Sequence, residues 1–247
     1  MKILTIIPIY NRAKYLKKAI DSVLNQTHSN LDLVLIDDCS TDNSLQIAQE
    51  YAHLDNVTLL QNSKNMGCYY SRNMGLYEFK EGDWDFFTIH DADDYSELNR
   101  FEEIVKPFSN PNLLGLKTTY IRVDESGAPQ PDREDEDRTD IYSSEGIAIF
   151  PRATFDFLGY YDDTRFSGDT DYWWRLQQFC NLNEDYSCGK HLSHLYYAVS
   201  HEENLTKIYN FTEDRPKYFQ KSRSDIIQMY RAGSFKRDFS PSLLVNN

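Results

Sequence analysis

Three aspartates within four residues follow a short apolar run near the middle of the chain. The run spans Phe86–Ile89, and the acidic residues are Asp91, Asp93 and Asp94. Like charges this close are unfavourable unless a cation lies among them. Mg²⁺ and Mn²⁺ prefer oxygen ligands and take one or two carboxylates, with water and phosphate filling the other positions. The spacing therefore favours a site for a metal-bound diphosphate, although the same residues are also common in solvated turns.

Alternating strands and helices in the first hundred residues position this acidic cluster. The strands are continuous apolar runs, which are typical of a parallel sheet covered by helices on both faces. In such doubly wound α/β domains, ligands bind beyond the carboxyl ends of the strands, where Asp91 would lie. The predicted strands are Ile3–Ile9, Leu31–Ile36, Val57–Leu60 and Trp84–Ile89, and the predicted helices lie near residues 16–24, 45–52 and 70–77.

The second half of the chain is less regular. A block over residues 132–140 carries six acids against two arginines, which is typical of a solvated loop and also compatible with a mobile lid. Asp169 precedes a helical apolar face, which makes it a helix N-cap by position. The predicted elements are helices over Glu97–Phe108, from Pro151, after Asp169 and over Thr212–Arg231, and strands over Leu113–Val123, Ile141–Phe150 and Leu192–Val199.

The composition limits the classes of partner. With 247 residues the chain is long enough for one sizeable domain, or for one domain with a small appendage. A formal net charge of −13 argues against a nucleic-acid partner and agrees with a site that takes a cation. The chain has four cysteines without a C-x-x-C pair, an N-terminus unlike a signal peptide, and no apolar run near the ~20 residues that cross a bilayer. These features predict a cytoplasmic protein.

Basic residues concentrate near the end of the chain. Between Arg215 and Arg237, seven lysines and arginines stand against one aspartate, while Phe219, Ile226 and Tyr230 give the predicted helix an apolar side. Such a helix could contact an anionic membrane as a peripheral anchor, dock on the acidic body of its own chain, or join a second subunit in a homodimer.

Five short motifs occur in order between residues 3 and 205. They are I-I-P-I-Y-N at 6–11, V-L-I-D-D-C-S-T-D at 34–42, N-M-G at 65–67 with S-R-N at 71–73, D-A-D-D at 91–94, and G-D at 168–169 leading to W-R-L at 174–176. Each motif alone is weak, but the ordered set is specific. The chain resembles family 2 glycosyltransferases of the GT-A fold. The resemblance implies inverting transfer of a sugar from a nucleotide diphosphate donor, usually a uridine one, to an acceptor hydroxyl.

The resemblance also implies roles for single residues. Asp169 matches the catalytic base, and Arg72 would lie near the diphosphate or the donor sugar. Asp38 would accept a hydrogen bond from the nucleotide base, which leaves Asp37 as a turn residue. The residues implied to bind the nucleotide sugar are Pro8, Tyr10, Asn11, Asp38, Asn65, Gly67, Arg72, Asp91 and Asp93. The residues implied to hold Mn²⁺ or Mg²⁺ are Asp93, Asp94 and His201.

Two departures from the family pattern bear on function. Many members carry Glu-Asp at the base position, whereas here Gly168 precedes Asp169. Asp169 is then the match to the base, with Asp171 as a rival. The chain also lacks the Gln-x-x-Arg-Trp element that processive polysaccharide synthases usually carry after the base, which favours a single-transfer enzyme.

The expected organisation is a GT-A domain over residues 1–205, with a nucleotide-binding half (1–100) and an acceptor-side half (101–205), followed by a C-terminal helix and tail (206–247). Its partners would be a nucleotide-sugar donor and a glycan, lipid-linked or small-molecule acceptor, in glycan or polysaccharide biosynthesis. Two alternatives stay open. One is a catalytically inactive module that binds sugar nucleotides. The other is a nucleotidyltransferase, which would need a glycine-rich phosphate loop, whereas residues 8–12 contain no glycine.

Overall fold

The fold is built on one mixed β-sheet with helices on both faces. The structure is a computed structural model that describes residues 1–130, 142–165, 167–192, 194–202, 204 and 214–241. Its strands are β1 (Ile3–Ile9), β2 (Leu31–Asp37), β3 (Val57–Gln61), β4 (Phe86–Ile89), β5 (Tyr95–Ser96), β6 (Leu113–Val123), β7 (Tyr142–Pro151), β8 (Ser187–His191) and β9 (Tyr196–Val199). Its helices are α1 (Ala13–Leu24), α2 (Ser44–Gln49), α3 (Cys68–Glu78), α4 (Arg100–Val105), α5 (Arg152–Leu158), α6 (Gly168–Leu182) and α7 (Asp214–Arg231), with a 3₁₀ turn (Lys106–Ser109) after α4.

The described strands form a nine-stranded sheet in the order β3-β2-β1-β4-β7-β6-β9-β5, with β8 pairing with β6 beside this path. β1 pairs in parallel with β2 and β4, and β2 pairs in parallel with β3. β7 pairs antiparallel with both β4 and β6, and β6 pairs in parallel with β8 and β9. The predicted α/β sheet, mostly parallel and covered on both faces, is confirmed. Because β1, β2 and β4 run the same way, the loops that follow them meet at one edge.

Burial on both faces explains the continuous apolar strands. Successive side chains of a strand point to opposite faces. Ile3 and Ile7 of β1 therefore pack with α1 and α2 in one apolar cluster, while Leu4 and Ile6 pack with α3 and α6 in another. All four side chains are fully buried. A Cβ on Gly75 of α3 would lie 3.0 Å from the Ile6 side chain, so glycine at this position lets α3 approach the sheet closely.

The strand predicted over Leu192–Val199 is wrong at its start. The chain instead forms two strands there, β8 and β9, and both pair with β6. β8 pairs with the first part of β6 and β9 with its last residues, so the chain leaves the sheet between them and rejoins it further along the same partner. Leu192 lies at this break and is 69% exposed.

The helix predicted over Glu97–Phe108 is shorter than the pattern indicated. The unpredicted strand β5 precedes it, α4 begins at Arg100, and the chain continues after Val105 as the 3₁₀ turn. Pro107 lies in that turn and has no backbone N–H to continue an α-helical ladder, which accounts for the early end of α4. The strand predicted from Trp84 begins at Phe86.

The last helix packs against the body of the chain. Ser222 and Ile226 of α7 are buried, and Phe219 lies against Trp174 of α6 with ring centroids 5.1 Å apart. Lys217, by contrast, is exposed. The acidic block at 132–140 lies outside the described residues, as do residues 205–213, in which the expected domain boundary falls. Over the part of the chain that is described, no helix combines the length and apolar character needed to cross a bilayer.

Candidate active site

A cavity of about 600 Å³ opens where β1, β2 and β4 end. This volume lies within the range of cofactor and substrate pockets in proteins. Two residues with predicted roles, Asn11 and His201, are not among the residues that line it. The residues with predicted roles that line the cavity are Pro8, Tyr10, Asp38, Asn65, Gly67, Arg72, Asp91, Asp93, Asp94 and Asp169. The sheet therefore brings together side chains that are far apart in sequence.

Asp38 organises the loop that opens α3. Its Oδ1 accepts hydrogen bonds from the Asn62 side chain at 2.8 Å and from the Met66 backbone N–H at 2.8 Å, and its Oδ2 accepts one from the Gly67 backbone N–H at 2.7 Å. Gly67 has a φ of 98°, a conformation that favours glycine. A carboxylate offers about four acceptor positions, so these three bonds leave room for a donor from a ligand.

Asn11 joins two loops at the same edge of the sheet. Its Oδ1 accepts a hydrogen bond from the Thr41 backbone N–H at 2.8 Å, and its own N–H donates to the Ser40 hydroxyl at 3.1 Å. The φ of Asn11 is 51°, a left-handed conformation that asparagine tolerates better than most residues. Asn11 thus fixes the loop after β1 to the loop after β2, beside the exposed ring of Tyr10.

The Asp93 carboxylate lies between the guanidinium of Arg12 and the imidazole of His201. Its Oδ2 is 2.9 Å from Arg12 Nε and 2.9 Å from His201 Nε2. Burial alone would raise the pKa of the Asp93 carboxyl, but the hydrogen bond with His201 and the charge of Arg12 lower it. The His201 ring in turn stacks on Tyr15, with centroids 4.6 Å apart. Asp93 is therefore held as a carboxylate at the edge of the cavity.

Asp94 is directed toward β9. Its Oδ1 accepts a hydrogen bond from the Val199 backbone N–H at 2.8 Å, and it also bonds to the Tyr196 hydroxyl. That hydroxyl accepts a hydrogen bond from the Asp91 backbone N–H at 3.1 Å. Burial, followed by the charges of Asp93 and Asp91, raises the pKa of Asp94 well above its usual value. A cation beside these three aspartates would offset that repulsion.

The acidic cluster fits a hard divalent ion. Asp93 Oδ2 and His201 Nε2 lie 2.9 Å apart in a hydrogen bond, and an ion held by both would take the place of that bond. Within the described residues, no group of three or more His, Cys, Asp and Glu side chains encloses a metal position. Mg²⁺ and Mn²⁺ do not need such a cage, because phosphate and water complete their coordination.

Arg72 is a buried cation on the cavity wall. It is 5% exposed, and its Nη2 donates to Asp91 Oδ1 at 3.2 Å. Its Nε and Nη1 have no hydrogen-bond partner within the described part of the chain. Buried polar groups are normally hydrogen-bonded, and an unpaired one is costly. Both nitrogens are themselves buried, and the guanidinium carbon lies 4.9 Å from the ring centre of Tyr69 and 5.8 Å from that of Tyr161.

Asp169 reaches the cavity from the first turn of α6. Its Oδ1 accepts hydrogen bonds from the Tyr69 hydroxyl at 2.7 Å and from the Thr170 backbone N–H at 2.9 Å. The residue that precedes α6 as its N-cap is Ser167, in a left-handed conformation with φ of 60° and without a side-chain cap bond. Asp169 is therefore not the N-cap of α6.

Asp171 lies outside the cavity. It is fully buried, and its carboxylate bonds to Arg175 at 2.9 Å, to Ser222 of α7 at 2.8 Å and to Arg237 at 3.0 Å. These partners join α6 to the C-terminal segment. The environment of Asp171 is that of a structural ion pair.

Several cavity residues were missed by sequence reasoning. Arg165 donates to the Asn65 side chain at 2.6 Å and to its backbone carbonyl at 3.2 Å, which ties the loop before α6 to the loop before α3. Tyr69 also lines the cavity, next to Cys68 at the start of α3. Arg12 follows the first motif directly, and no other feature of the sequence indicates a role for it. The other unpredicted lining residues include Tyr120, Arg122, Ser144, Tyr196 and Asn204.

Comparison with known proteins agrees with the motif analysis. The sequence model of the family described as "Glycosyl transferase family 2" matches residues 5–172. The glycosyltransferase GlyA of Streptococcus pneumoniae is 35% identical over 105 residues, which is 42% of this chain and 15% of GlyA. The glycosyltransferase GlyG of the same species is 33% identical over 122 residues, which is 49% of this chain and 40% of GlyG. The matched regions thus span less than half the length of these relatives.

Solved structures with the same fold include residues 1–349 of TarS from S. aureus in complex with UDP-GlcNAc. That structure aligns with a TM-score of 0.63 at 22% identity, over 83% of this chain and 60% of the other. The mannosyltransferase PcManGT from Pyrobaculum calidifontis, in complex with GDP-Man and Mn²⁺, aligns with a TM-score of 0.58 at 16% identity, over 81% of this chain and 56% of the other. At this level of identity the likeness concerns the fold, and it confirms the predicted GT-A architecture.

The ordered motifs, the sheet topology and the family match all agree. The match over residues 5–172 extends across more than half of the sequence. The chain therefore belongs to glycosyltransferase family 2.

Proposed function

We propose that this chain is a metal-dependent, inverting glycosyltransferase that moves one sugar from a nucleotide diphosphate donor to an acceptor hydroxyl. The observation that carries the proposal is the meeting of a carboxylate and a guanidinium at Gly146 on the cavity wall. A Cβ built on Gly146 would lie 3.1 Å from Asp169 Oδ2 and 4.0 Å from Arg72 Nη2. A proton acceptor and a buried cation thus border the same space.

Each of the two groups has a distinct part in such a transfer. Asp169 Oδ2 takes the proton of the acceptor hydroxyl while the hydroxyl oxygen bonds to the anomeric carbon, a form of general base catalysis. The bond between that carbon and the diphosphate oxygen breaks, and its electron pair stays on the diphosphate. Attack opposite the leaving group inverts the configuration. Arg72 stabilises the charge that develops on the diphosphate.

The divalent ion would be held by Asp93, Asp94 and His201. When bound there, Mg²⁺ or Mn²⁺ supplies Lewis-acid stabilisation of the departing diphosphate. Arg12 keeps Asp93 ionised and in place for this ligation through the 2.9 Å contact. The nucleotide would be held by predicted residues that line the cavity: Pro8, Tyr10 and Asp38 near the base, with Asn65, Gly67 and Asp91 around them. Asn11 would act through the two loops that it joins.

Our proposed donor is a uridine diphosphate sugar, as the family resemblance implies. Support comes from the UDP-GlcNAc complex of the TarS fragment, while the GDP-Man complex of PcManGT shows that the fold also accepts a guanosine donor. The proposed reaction is a single transfer in glycan or polysaccharide biosynthesis, to a glycan, lipid-linked or small-molecule acceptor. Free cysteines at all four positions support a cytoplasmic location, because disulfides are rare in reducing compartments.

A panel of nucleotide sugars, screened by thermal shift with Mn²⁺ and then with a chelator, tests the binding part. A ligand that binds only the folded chain raises its melting temperature. We expect a shift with UDP sugars in Mn²⁺ that shrinks on chelation. No shift with any member of the panel would overturn the proposal. Release of UDP in the presence of acceptors then separates an enzyme from a binding module, since a module would bind the donor without turnover.

The exposed basic residues of α7 support a proposed peripheral contact with anionic membranes. Lys217, Lys221 and Arg231 are exposed, while the opposite side of the helix packs on α6. Basic residues near an anionic surface contribute about 1 kcal/mol each. A double variant that carries Lys217→Glu and Lys221→Glu should co-sediment less with phosphatidylserine vesicles than the wild type does. Unchanged sedimentation of that variant would remove the membrane proposal, and a concentration-dependent mass in light scattering would instead support a homodimer.

A further inference from the structure

We propose that Tyr69 is a positioning residue for Asp169, whose hydroxyl fixes one carboxylate oxygen so that the other faces the cavity as the proton acceptor. This inference rests on the proposed function, because it assigns the orientation of the proposed base. It concerns a tyrosine on α3, a different element from the helix that carries Asp169.

Within the described part of the chain, the hydrogen bonds to the Asp169 carboxylate reach one of its two oxygens. The Tyr69 hydroxyl donates to Oδ1 at 2.7 Å, and the Thr170 backbone N–H donates to the same oxygen at 2.9 Å. Oδ2 is the oxygen that approaches Gly146 of β7. Two donors on one oxygen prevent rotation of the carboxylate, so Oδ2 keeps its direction in the absence of substrate. Such preorganisation removes a cost that would otherwise fall on the reaction step.

Gly168 makes room for the tyrosine ring. A Cβ at Gly168 would lie 2.9 Å from Cγ and Cδ1 of Tyr69, which is closer than real Cβ contacts allow, and 3.0 Å from the Asp162 carbonyl oxygen. The ring of Tyr69 thus fills the space that a side chain before Asp169 would need. The absence of an acid at residue 168, noted above as a departure from the family pattern, has a structural counterpart in this ring.

The hydroxyl of Tyr69 remains a proton donor in this setting. Burial, and then the charge of Asp169, raises the pKa of Tyr69 well above its ordinary value, so the hydroxyl stays protonated. The guanidinium of Arg72 lies 4.9 Å from the centre of the same ring, a cation–π distance. The Tyr69 ring therefore contacts Arg72, which we propose to bind the diphosphate, and the Tyr69 hydroxyl donates to Asp169, the proposed base.

Tyr69→Phe tests the inference because it removes only the hydroxyl. Tyr70→Phe is the matched control, since Tyr70 is the next residue and its ring packs on Phe239 instead. Loss of a hydrogen bond to a charged group predicts a fall in kcat of about tenfold in Tyr69→Phe. The KM for donor and acceptor should stay within about twofold of wild type, and Tyr70→Phe should keep the wild-type kcat.

The outcomes separate this inference from the proposed function. Wild-type kcat in Tyr69→Phe, or a raised KM with unchanged kcat, would overturn the positioning role while transfer by the wild type still stood. No transfer by the wild type with any donor would overturn both. Gly168→Ala gives a second route, because its Cβ displaces the ring and should reproduce the loss of kcat.

Discussion

Asp169 and Asp171 both lie in the first turn of α6, yet only Asp169 borders the cavity. Asp171 is buried among Arg175, Ser222 and Arg237. Residues two apart on a helix point in different directions. The proposed base and the ion pair that anchors its helix thus share one turn, and their variants should fail in different ways.

Asp169→Asn should keep donor binding and lose transfer. The amide has nearly the same shape but cannot take a proton from the acceptor hydroxyl, so kcat should fall by about 10²–10⁴-fold. The donor-induced thermal shift should match that of wild type. Asp163→Asn, in the exposed loop before α6, is the control and should keep full turnover. Full activity of Asp169→Asn would remove Asp169 as the base.

Asp171→Asn should destabilise the fold. The change leaves Arg175 buried without its anion, which typically costs about 3–5 kcal/mol. For a chain of this size that corresponds to a fall in Tm of roughly 10 °C. Calorimetry of wild type and variant measures the difference. A Tm equal to that of wild type would show that the ion pair does not hold the C-terminal segment to α6.

The cost of Asp171→Asn should depend on pH. Burial alone would raise the pKa of Asp171, but the charges of Arg175 and Arg237 lower it below its ordinary value of 3.8. A lowered pKa in the folded state adds stability that is present above the unfolded pKa and is lost as pH falls through the folded one. The difference in unfolding free energy between wild type and variant should therefore be largest near neutral pH and should decrease below pH 3.8. Denaturant titrations across that range measure it.

Asp93→Ala should abolish metal-dependent donor binding. The change removes the oxygen that lies 2.9 Å from His201 Nε2, and with it a proposed ligand. We expect the Mn²⁺-dependent part of the UDP-sugar thermal shift to disappear. Asp55→Ala, in an exposed turn after α2, is the control and should leave that part unchanged. An Mn²⁺ response retained in Asp93→Ala would place the ion elsewhere.

Gly146→Ala should lower turnover without unfolding the chain. The new Cβ would lie 3.1 Å from Asp169 Oδ2 and so compete with the acceptor hydroxyl for that space. Displacing a reacting group by 1 Å can lower the rate by up to about 10²-fold, so we expect kcat to fall by about tenfold. Gly189→Ala on β8 is the matched control, because its Cβ would lie 3.6 Å from the Leu116 side chain, an ordinary contact distance. Equal kcat in both variants would contradict the proposed role of Oδ2.

The first four strands were predictable because their burial on both faces leaves continuous apolar runs. The cavity residues Asp38 and Arg72 were found for a related reason, since each lies at a fixed offset from a strand end or a helix start within a motif. β8 and β9 were not separable by pattern. Their boundary is set by pairing with two different parts of β6, which is not encoded in their own hydrophobicity.

The missed residues share a different cause. The contact from Tyr69 to Asp169 spans 100 residues, that from Arg165 to Asn65 spans 100, and that from Arg12 to Asp93 spans 81. No local period or motif reports such a contact. Gly168 was the one available signal, because an unexpected glycine beside a functional acid indicates that something large lies against it.

The anchoring of α6 by Arg237 has a consequence for biosynthesis. The pairing of Asp171 with Ser222 and Arg237 needs residues that lie 51 and 66 positions further along the chain. Until those residues leave the ribosome, a growing chain holds the Asp171–Arg175 pair without its outer partners. The helix that carries the proposed base would thus gain these partners only late in synthesis, after β1 to β4 have been translated.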